Sequence, residues 1–232
     1  MRTTAAQGGP RNKTHLAGGF PAPGPGRGGM PPGPVTVQTR YAMACSEPSL
    51  ALPKMTPYIS TYRGNRFYPA EPRVEDIDIE DIAHGLAYTC RFNGQTTAFY
   101  SVAQHSLIVC ELVPESLKRE ALLHDAAEAY LGDLVKPLKA LLPEFVAIEH
   151  QVMAAIARAF GLGDWIHPDI KRADRIALAT EKRDLMPYSV EPWSELQDVE
   201  PLSQPLRPMS PKLAKQAFLD TYARLFEHRA SD

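Results

Sequence analysis

The sequence predicts an all-α protein, a bundle of helices with one short β-hairpin at its start. Beyond about residue 79, apolar residues recur every three or four positions, the spacing at which side chains share one face of a helix. No segment alternates strands with helices, the pattern that would indicate a parallel sheet. With 232 residues, 44% of them hydrophobic, the chain is long enough for one well-buried domain.

Residues 1–54 differ in composition from the rest of the chain. They are rich in glycine and proline, as in AGGFPAPGPGRGGMPPGPV, and hold six Lys or Arg but a single acid, Glu47. Such a segment buries too little apolar surface to offset the entropy of ordering it. We therefore predict a disordered basic extension over residues 1–54 and a folded domain over residues 55–232. Alternatively, the extension lies upstream of a natural start at Met55.

The first elements of the domain follow from turn and helix signals. Turn residues at 63–65 predict the hairpin. Ile79, Ile82 and Leu86 are spaced as on one face of a first helix, with acids in its first turn. Ser101 is a suitable N-cap for a second helix over VAQHSLIVCELV.

The remaining elements are predicted as helices as well. A third helix should open at Pro114 and run without interruption through LKREALLHDAAEAYL to Gly132. A shorter helical piece is expected around residues 134–142, followed by a long amphipathic helix that ends at Gly161. Pro168 suits the first turn of IKRADRIALATEKRDLM. A last helix is predicted over LAKQAFLDTYARLFEHR.

Charge and cysteine content exclude several classes of partner. The net charge of −2 gives no reason to expect binding to a nucleic-acid polymer, and no run of eighteen or more apolar residues predicts a membrane span. Cys45, Cys90 and Cys110 are few and unpatterned, as expected for free thiols in a reducing compartment. We therefore expect the protein in the cytoplasm.

Acids and histidines on otherwise apolar helices are the feature that points to chemistry. Charged groups are rarely buried unless they are paired or hold a metal. In an uninterrupted third helix, His124 and Glu128 would share a face, with Asp125 beside them. His105 and Asp174 lie in the middle of two other predicted helices. Imidazole and carboxylate together suit a divalent first-row ion. Taken singly, a histidine on such a helix is more often a core or boundary residue than a ligand, and Asp174 could be one charge on a solvated face.

The order of these residues resembles a known family. H…HD…D on successive helices, with HDAAEAYLGDLVKPLK around the central pair, is similar to the HD-domain metal-dependent phosphohydrolases. The closest likeness is to the branch of bacterial 5′-deoxynucleotidases and phage dATP triphosphohydrolases, and it runs from Tyr58 to the last helix. The resemblance implies one divalent ion, Co²⁺, Mn²⁺ or Mg²⁺ with Zn²⁺ as an alternative. The implied ligands are His105, His124, Asp125 and Asp174.

The resemblance also implies roles for four further residues. Glu128 matches the acid that orients or deprotonates the attacking water, and Asp133 matches a second acid near the scissile phosphate. Arg91 and Phe92, in TCRFNGQT, match an arginine that contacts phosphate and a ring that stacks on the base. That ring is usually Trp in the family.

Lysines are the expected phosphate contacts, since lysine binds phosphate as a point charge. Lys139 follows the central acids in the sequence. Lys171 precedes Asp174 by three residues, so Lys171 and Asp174 lie on one face of the same predicted helix. Lys136 lies on the same face as Lys139. For each lysine the alternative is an exposed position without a ligand.

The expected function is metal-dependent hydrolysis of the 5′ phosphoester of a nucleotide. Lys139 and Lys171 favour a triphosphate, stacking on Phe92 favours a purine base, and the resemblance implies a deoxynucleotide, which would be cleaved to nucleoside and tripolyphosphate. A 5′-deoxynucleotidase acting on monophosphates is the first alternative. A non-catalytic nucleotide sensor and a helical interaction protein with ordinary salt bridges are alternatives of other classes. The expected partners are a small-molecule nucleotide and further copies of the chain in a homo-oligomer.

Overall fold

The computed structural model describes residues 56–188 and 193–226, and within them the fold is helical, as predicted. The elements are β1 (Ile59–Ser60), β2 (Arg66–Phe67), α1 (Ile79–Tyr88), α2 (Val102–Leu112), α3 (Lys118–Leu122), α4 (Glu128–Leu131), α5 (Lys136–Lys139), α6 (Pro143–Phe160), α7 (Pro168–Leu185) and α8 (Pro211–Phe226). The predicted disordered extension, residues 1–54, lies outside the described residues. None of the described helices is long and apolar enough to cross a bilayer.

The predicted hairpin is confirmed at the start of the domain. Ile59 pairs with Phe67 in an antiparallel register. Gly64 in the turn has a φ of +83°, a conformation that glycine adopts without the steric cost of a Cβ. The Arg63 N–H donates a 2.7 Å hydrogen bond to Asp81 Oδ1 of α1, so the turn is tied to the first helix.

Helix boundaries mostly follow the predicted signals. Asp78 caps α1 by accepting from the Glu80 N–H, and Ser101 caps α2 as predicted. α6 ends at Gly161, whose φ of +58° is the left-handed conformation common after a helix. Pro168 begins α7. The last predicted residues of the final helix, 227–229, lie outside the described residues.

The prediction of one uninterrupted helix from Pro114 to Gly132 is wrong. The chain instead forms α3, leaves the helical conformation at Leu123 (φ −105°, ψ 10°), and resumes as α4. In a continuous helix the Ala121 carbonyl would accept from the Asp125 N–H, but His124 Nδ1 lies 2.8 Å from that carbonyl instead. A side-chain hydrogen bond thus competes with the helical ladder. The turn is instead closed by backbone hydrogen bonds between residues three positions apart, such as the one from the Ala126 N–H to the Leu123 carbonyl.

The core lies where α1, α2, α3 and α8 meet, and it places α2 at the centre of the domain. Eight of the eleven residues of α2 are buried, including His105. A helix that is buried all round belongs inside a protein, so a polar group on it faces other protein groups. α1 and α4 approach closely at Gly85, where an added Cβ would lie 2.5 Å from the Ala129 carbonyl oxygen. This contact fixes α4 against α1.

Candidate metal centre

The four predicted metal ligands meet at one point between α2, α7 and the break after α3. His105 Nε2 lies 3.2 Å from Asp174 Oδ1 and 3.6 Å from Asp125 Oδ2. His124 Nε2 lies 3.2 Å from the same Asp125 oxygen. Potential ligand atoms of His105, His124 and Asp174 all lie within 4.8 Å of one another. The group has the size and the donor atoms of a site for one metal ion.

Hydrogen bonds on the far side of each imidazole aim its Nε2 at the cluster. His105 Nδ1 lies 2.6 Å from Glu181 Oε1, and His124 Nδ1 lies 2.8 Å from the Ala121 carbonyl. Carboxylate and carbonyl oxygens accept, so both Nδ1 atoms donate. Both Nε2 atoms are buried without a hydrogen-bond partner, although each faces a carboxylate. Metal-binding histidines are commonly oriented in this way, so the residues fit a divalent ion.

The ionised carboxylates around the cluster favour the binding of a cation. Burial and Arg91 lower the pKa of His105, but Glu181 and Asp174 outweigh them and raise it to about 10. Burial raises the pKa of Asp174, yet its contact with His105 brings the value to about 2. The pKa of Asp125 is also lowered, against burial, by His124. The carboxylates are therefore ionised at neutral pH, as metal ligands must be. The same carboxylates keep His105 protonated, and a divalent ion can replace that proton.

Two further acids lie beside the cluster. Glu128, the first residue of α4, is only 5% exposed, and its Oε2 is buried without a partner. Burial, followed by the charges of Asp125 and Asp133, raises the pKa of Glu128 well above its usual value. Asp133 follows Gly132, whose φ of +82° turns the chain back toward the site. Burial raises the pKa of Asp133 as well, although Arg91, 4.0 Å away, opposes the shift.

Arg91 and Phe92 approach the cluster on a strained turn. Phe92 and Asn93 have φ values of 56° and 51°, a region that residues with a Cβ seldom adopt and that is frequent at functional sites. Arg91 is buried and contacts Glu181 through Nε and Nη2, while its Nη1 lies 3.8 Å from Asp125. Burial lowers the pKa of Arg91, but the surrounding carboxylates outweigh it and hold the pKa above its ordinary value.

Two cavities open beside the cluster. The larger, about 530 Å³, is lined by Arg91, Phe92, Asp133 and Trp193 among others, and it has the size of a small-molecule pocket. The smaller, about 200 Å³, includes Lys171 in its wall. Four residues line both cavities and therefore lie between them: Asp125, Glu128, Lys139 and Asp174.

The lysines predicted as phosphate contacts are not equivalent. Lys139 lies between Glu149 Oε1 at 2.6 Å and Glu128 Oε1 at 3.3 Å. Burial lowers its pKa, but these two carboxylates outweigh burial and raise the value. Lys171 is exposed and lines only the smaller of the two cavities. Lys136 pairs with Glu195 at 2.8 Å. Lys139 and Lys171 therefore both line the smaller cavity, but Lys139 is held by two carboxylates while Lys171 is exposed.

Three residues of the site were missed by reading the sequence: Glu149, Glu181 and Trp193. Glu181 follows Asp174 by seven residues, which is two helical turns, so its place on the same face of α7 was open to prediction. Trp193 lies in a proline-rich connection without periodicity, and no local pattern indicates that its ring centroid lies 6.1 Å from that of Phe92. The site therefore contains a tryptophan next to the predicted stacking ring.

Comparison with known proteins identifies two relatives. No protein-family model matches the chain. The chain is 39% identical over 174 residues to the uncharacterized protein YfdR of Escherichia coli (strain K12), and the match covers 74% of this chain and 97% of that protein. It is 44% identical over 124 residues to the uncharacterized protein RCAP_rcc00048 of Rhodobacter capsulatus, covering 49% of this chain and 63% of that protein.

Proposed function

The chain belongs to the family of the Escherichia coli protein YfdR, and we propose that it is an HD-domain, metal-dependent phosphohydrolase acting on nucleotides. One observation carries the proposal. Two imidazoles, each oriented through Nδ1, direct unpartnered Nε2 atoms at two ionised carboxylates. A divalent ion held there supplies a nucleophilic water at neutral pH and neutralises charge on a phosphoryl group.

The surrounding residues support a hydrolytic role. Glu128 has a buried carboxylate oxygen with no partner beside the cluster, a suitable position for accepting a proton. Arg91 Nη1 is the guanidinium nitrogen nearest to Asp125 and Asp133, where it can contact a phosphate oxygen. A non-catalytic sensor would need none of these acids. The presence of both Glu128 and Asp133 therefore favours the enzyme over the sensor.

The larger cavity is the proposed nucleotide site. Its volume of about 530 Å³ suits a molecule of nucleotide size. The rings of Phe92 and Trp193 lie in its wall, and a planar base stacks on aromatic rings with little regard for its identity. Leu178 and Met186 add apolar surface. We propose that the base lies against these rings and the 5′ phosphate against Arg91.

The pairing of cations favours a substrate with one phosphate. Each cation of the larger cavity already contacts a carboxylate: Arg91 contacts Glu181, Lys136 contacts Glu195 and Lys139 contacts Glu149. A triphosphate brings several negative charges that these cations are poorly placed to neutralise. We therefore put the 5′-deoxynucleotidase first. The dATP triphosphohydrolase remains the second candidate because Lys171 is an exposed cation in the wall of the smaller cavity.

The test begins with chelator-stripped protein. It is incubated with Mn²⁺, Co²⁺ or Mg²⁺ and a panel of deoxy- and ribonucleotide mono- and triphosphates, and the products are separated by ion-pair chromatography. We expect metal-dependent release of nucleoside, lost in Asp125→Ala. Bound metal with no turnover of any nucleotide would reject the enzyme, and nucleotide binding without turnover would favour the sensor.

Lys171→Ala distinguishes the two substrates. If the tail of a triphosphate reaches the smaller cavity, the variant loses triphosphate turnover and keeps monophosphate turnover. If monophosphates are the substrates, wild type and variant hydrolyse them at equal rates. Arg175→Ala is the matched control, because Arg175 is an exposed cation on the same helix that contacts the Glu195 carbonyl and lines neither cavity.

A further inference from the structure

One buried carboxylate touches both halves of the proposed site. Glu181 is fully buried on α7. Its Oε1 lies 2.6 Å from His105 Nδ1, and its Oε2 lies 3.1 Å from Arg91 Nη2 and 3.2 Å from Arg91 Nε. A single side chain therefore contacts a candidate metal ligand with one oxygen and the candidate phosphate contact with the other.

The contact with His105 decides which imidazole nitrogen is free. Because a carboxylate oxygen accepts, Nδ1 carries a proton and Nε2 is directed at Asp125 and Asp174. A carboxylate in this position also makes the imidazole a stronger ligand. Loss of the contact would free the ring to rotate or to change tautomer, and either change weakens metal binding.

The contact with Arg91 weakens the binding of an anion, whereas the contact with His105 strengthens the binding of a metal ion. Glu181 occupies two of the three guanidinium nitrogens and offsets the positive charge. Only Nη1 faces the acids of the cavity, at 3.8 Å from Asp125 and 4.0 Å from Asp133. A phosphate therefore meets a guanidinium that is partly neutralised by a neighbouring carboxylate. Removal of that carboxylate's charge would leave Arg91 a stronger anion site.

We propose that Glu181 is a positioning residue that strengthens divalent-ion binding at His105 while it weakens anion binding at Arg91. The proposal rests on the proposed function in taking Arg91 as the phosphate contact.

Two titrations of Glu181→Gln test the proposal, and neither depends on turnover. Calorimetric titration with Mn²⁺, without nucleotide, should give a Kd raised by about tenfold or more, the range for loss of a carboxylate behind a metal-binding histidine. Titration of the chelator-treated protein with inorganic phosphate, followed by fluorescence of Trp193 and Trp165 in the cavity walls, should give a lower Kd. Glu120→Gln, a carboxylate that binds the Gly163 N–H, should change neither.

Opposite signs are the decisive result, because a merely structural role would weaken both ligands together. Weaker binding of both, or no change in either, would overturn the proposal. If Glu181→Gln folds poorly, Arg91→Gln is compared with the double variant Arg91→Gln/Glu181→Gln, which leaves no unpaired charge of this ion pair. The double variant should bind Mn²⁺ more weakly, and equal affinities would again overturn the proposal. A protein that binds both ligands as expected but hydrolyses no nucleotide would refute the proposed function alone.

Discussion

The candidate metal centre draws its ligands from two contrasting regions. His105 and Asp174 lie on regular helices, α2 and α7, where periodicity alone places them toward the interior. His124 and Asp125 lie at the break between α3 and α4. Adjacent residues of a regular α-helix do not face each other, since they point about 100° apart. At the break, however, His124 Nε2 and Asp125 Oδ2 are 3.2 Å apart. The interruption therefore brings two consecutive side chains close enough to act as ligands of one ion.

The largest expected effect tests whether both regions are needed. Asp125→Ala at the break and Asp174→Ala on α7 should each lower the rate more than about 1,000-fold, because the ion contributes several kcal/mol to the transition state. Initial rates on the best nucleotide, with Mn²⁺ Kd measured alongside, check this. Asp220→Ala, an exposed acid on α8, should leave both unchanged. Full activity in either variant would show that the substituted residue's region supplies no essential ligand to the metal ion.

The second largest effect is expected from removal of the metal, which should lower the stability of the folded protein. A metal present at about 100 times its Kd adds about 2.7 kcal/mol to the free energy of unfolding. For a domain of this size that amounts to about 5–10 °C in Tm. Thermal unfolding with EDTA, then with Mn²⁺ restored, measures the shift. The shift should vanish in Asp174→Ala, and a shift that persists there would indicate metal binding elsewhere.

Glu128→Gln separates chemistry from metal binding within the broken region. The rate should fall about 100- to 10,000-fold, as for loss of a general base. The ion should still bind, because the proposed ligands are intact. Single-turnover rates and Mn²⁺ calorimetry on the same preparation give both quantities. An equal loss of metal affinity would make Glu128 a ligand instead of a base.

The smallest expected effect lies outside both ligand regions, at the stacking ring. Phe92→Trp enlarges the aromatic face, and base–aromatic stacking contributes about 1–3 kcal/mol per base in total. A fraction of that should lower KM for a purine nucleotide about threefold, with kcat unchanged. Phe92→Leu should raise KM. Identical KM values in the two variants would show that the base does not stack on Phe92.

Sequence patterns were sufficient for the regular helices and insufficient for the break. Caps such as Ser101 and breakers such as Gly161 act locally, so their effects were predicted correctly. ALLHDAAEAYL contains no glycine or proline and is rich in good helix formers, so its composition predicts continuity. The His124 hydrogen bond to Ala121 overrides that preference. The two proposed ligands at the break, His124 and Asp125, do lie side by side at the cluster, although the helical geometry assumed for them was wrong.

The same limit applies to groups brought in from distant parts of the chain. Glu181 shares a helical face with Asp174, so periodicity could have placed it near the site, but its contact with Arg91 spans 90 residues of sequence. Trp193 reaches Phe92 from an irregular connection. Contacts of this kind depend on how the helices pack, which local patterns do not specify.

The close approach of α1 and α4 at Gly85 has a consequence for how this family tolerates mutation. Any larger residue there must push away the Ala129 backbone, one position beyond Glu128. In a saturation-mutagenesis selection for activity, position 85 should therefore accept almost nothing but glycine, although it lines neither cavity beside the candidate metal centre. A glycine at this position in α1 is thus a useful marker for finding distant relatives that keep the same arrangement.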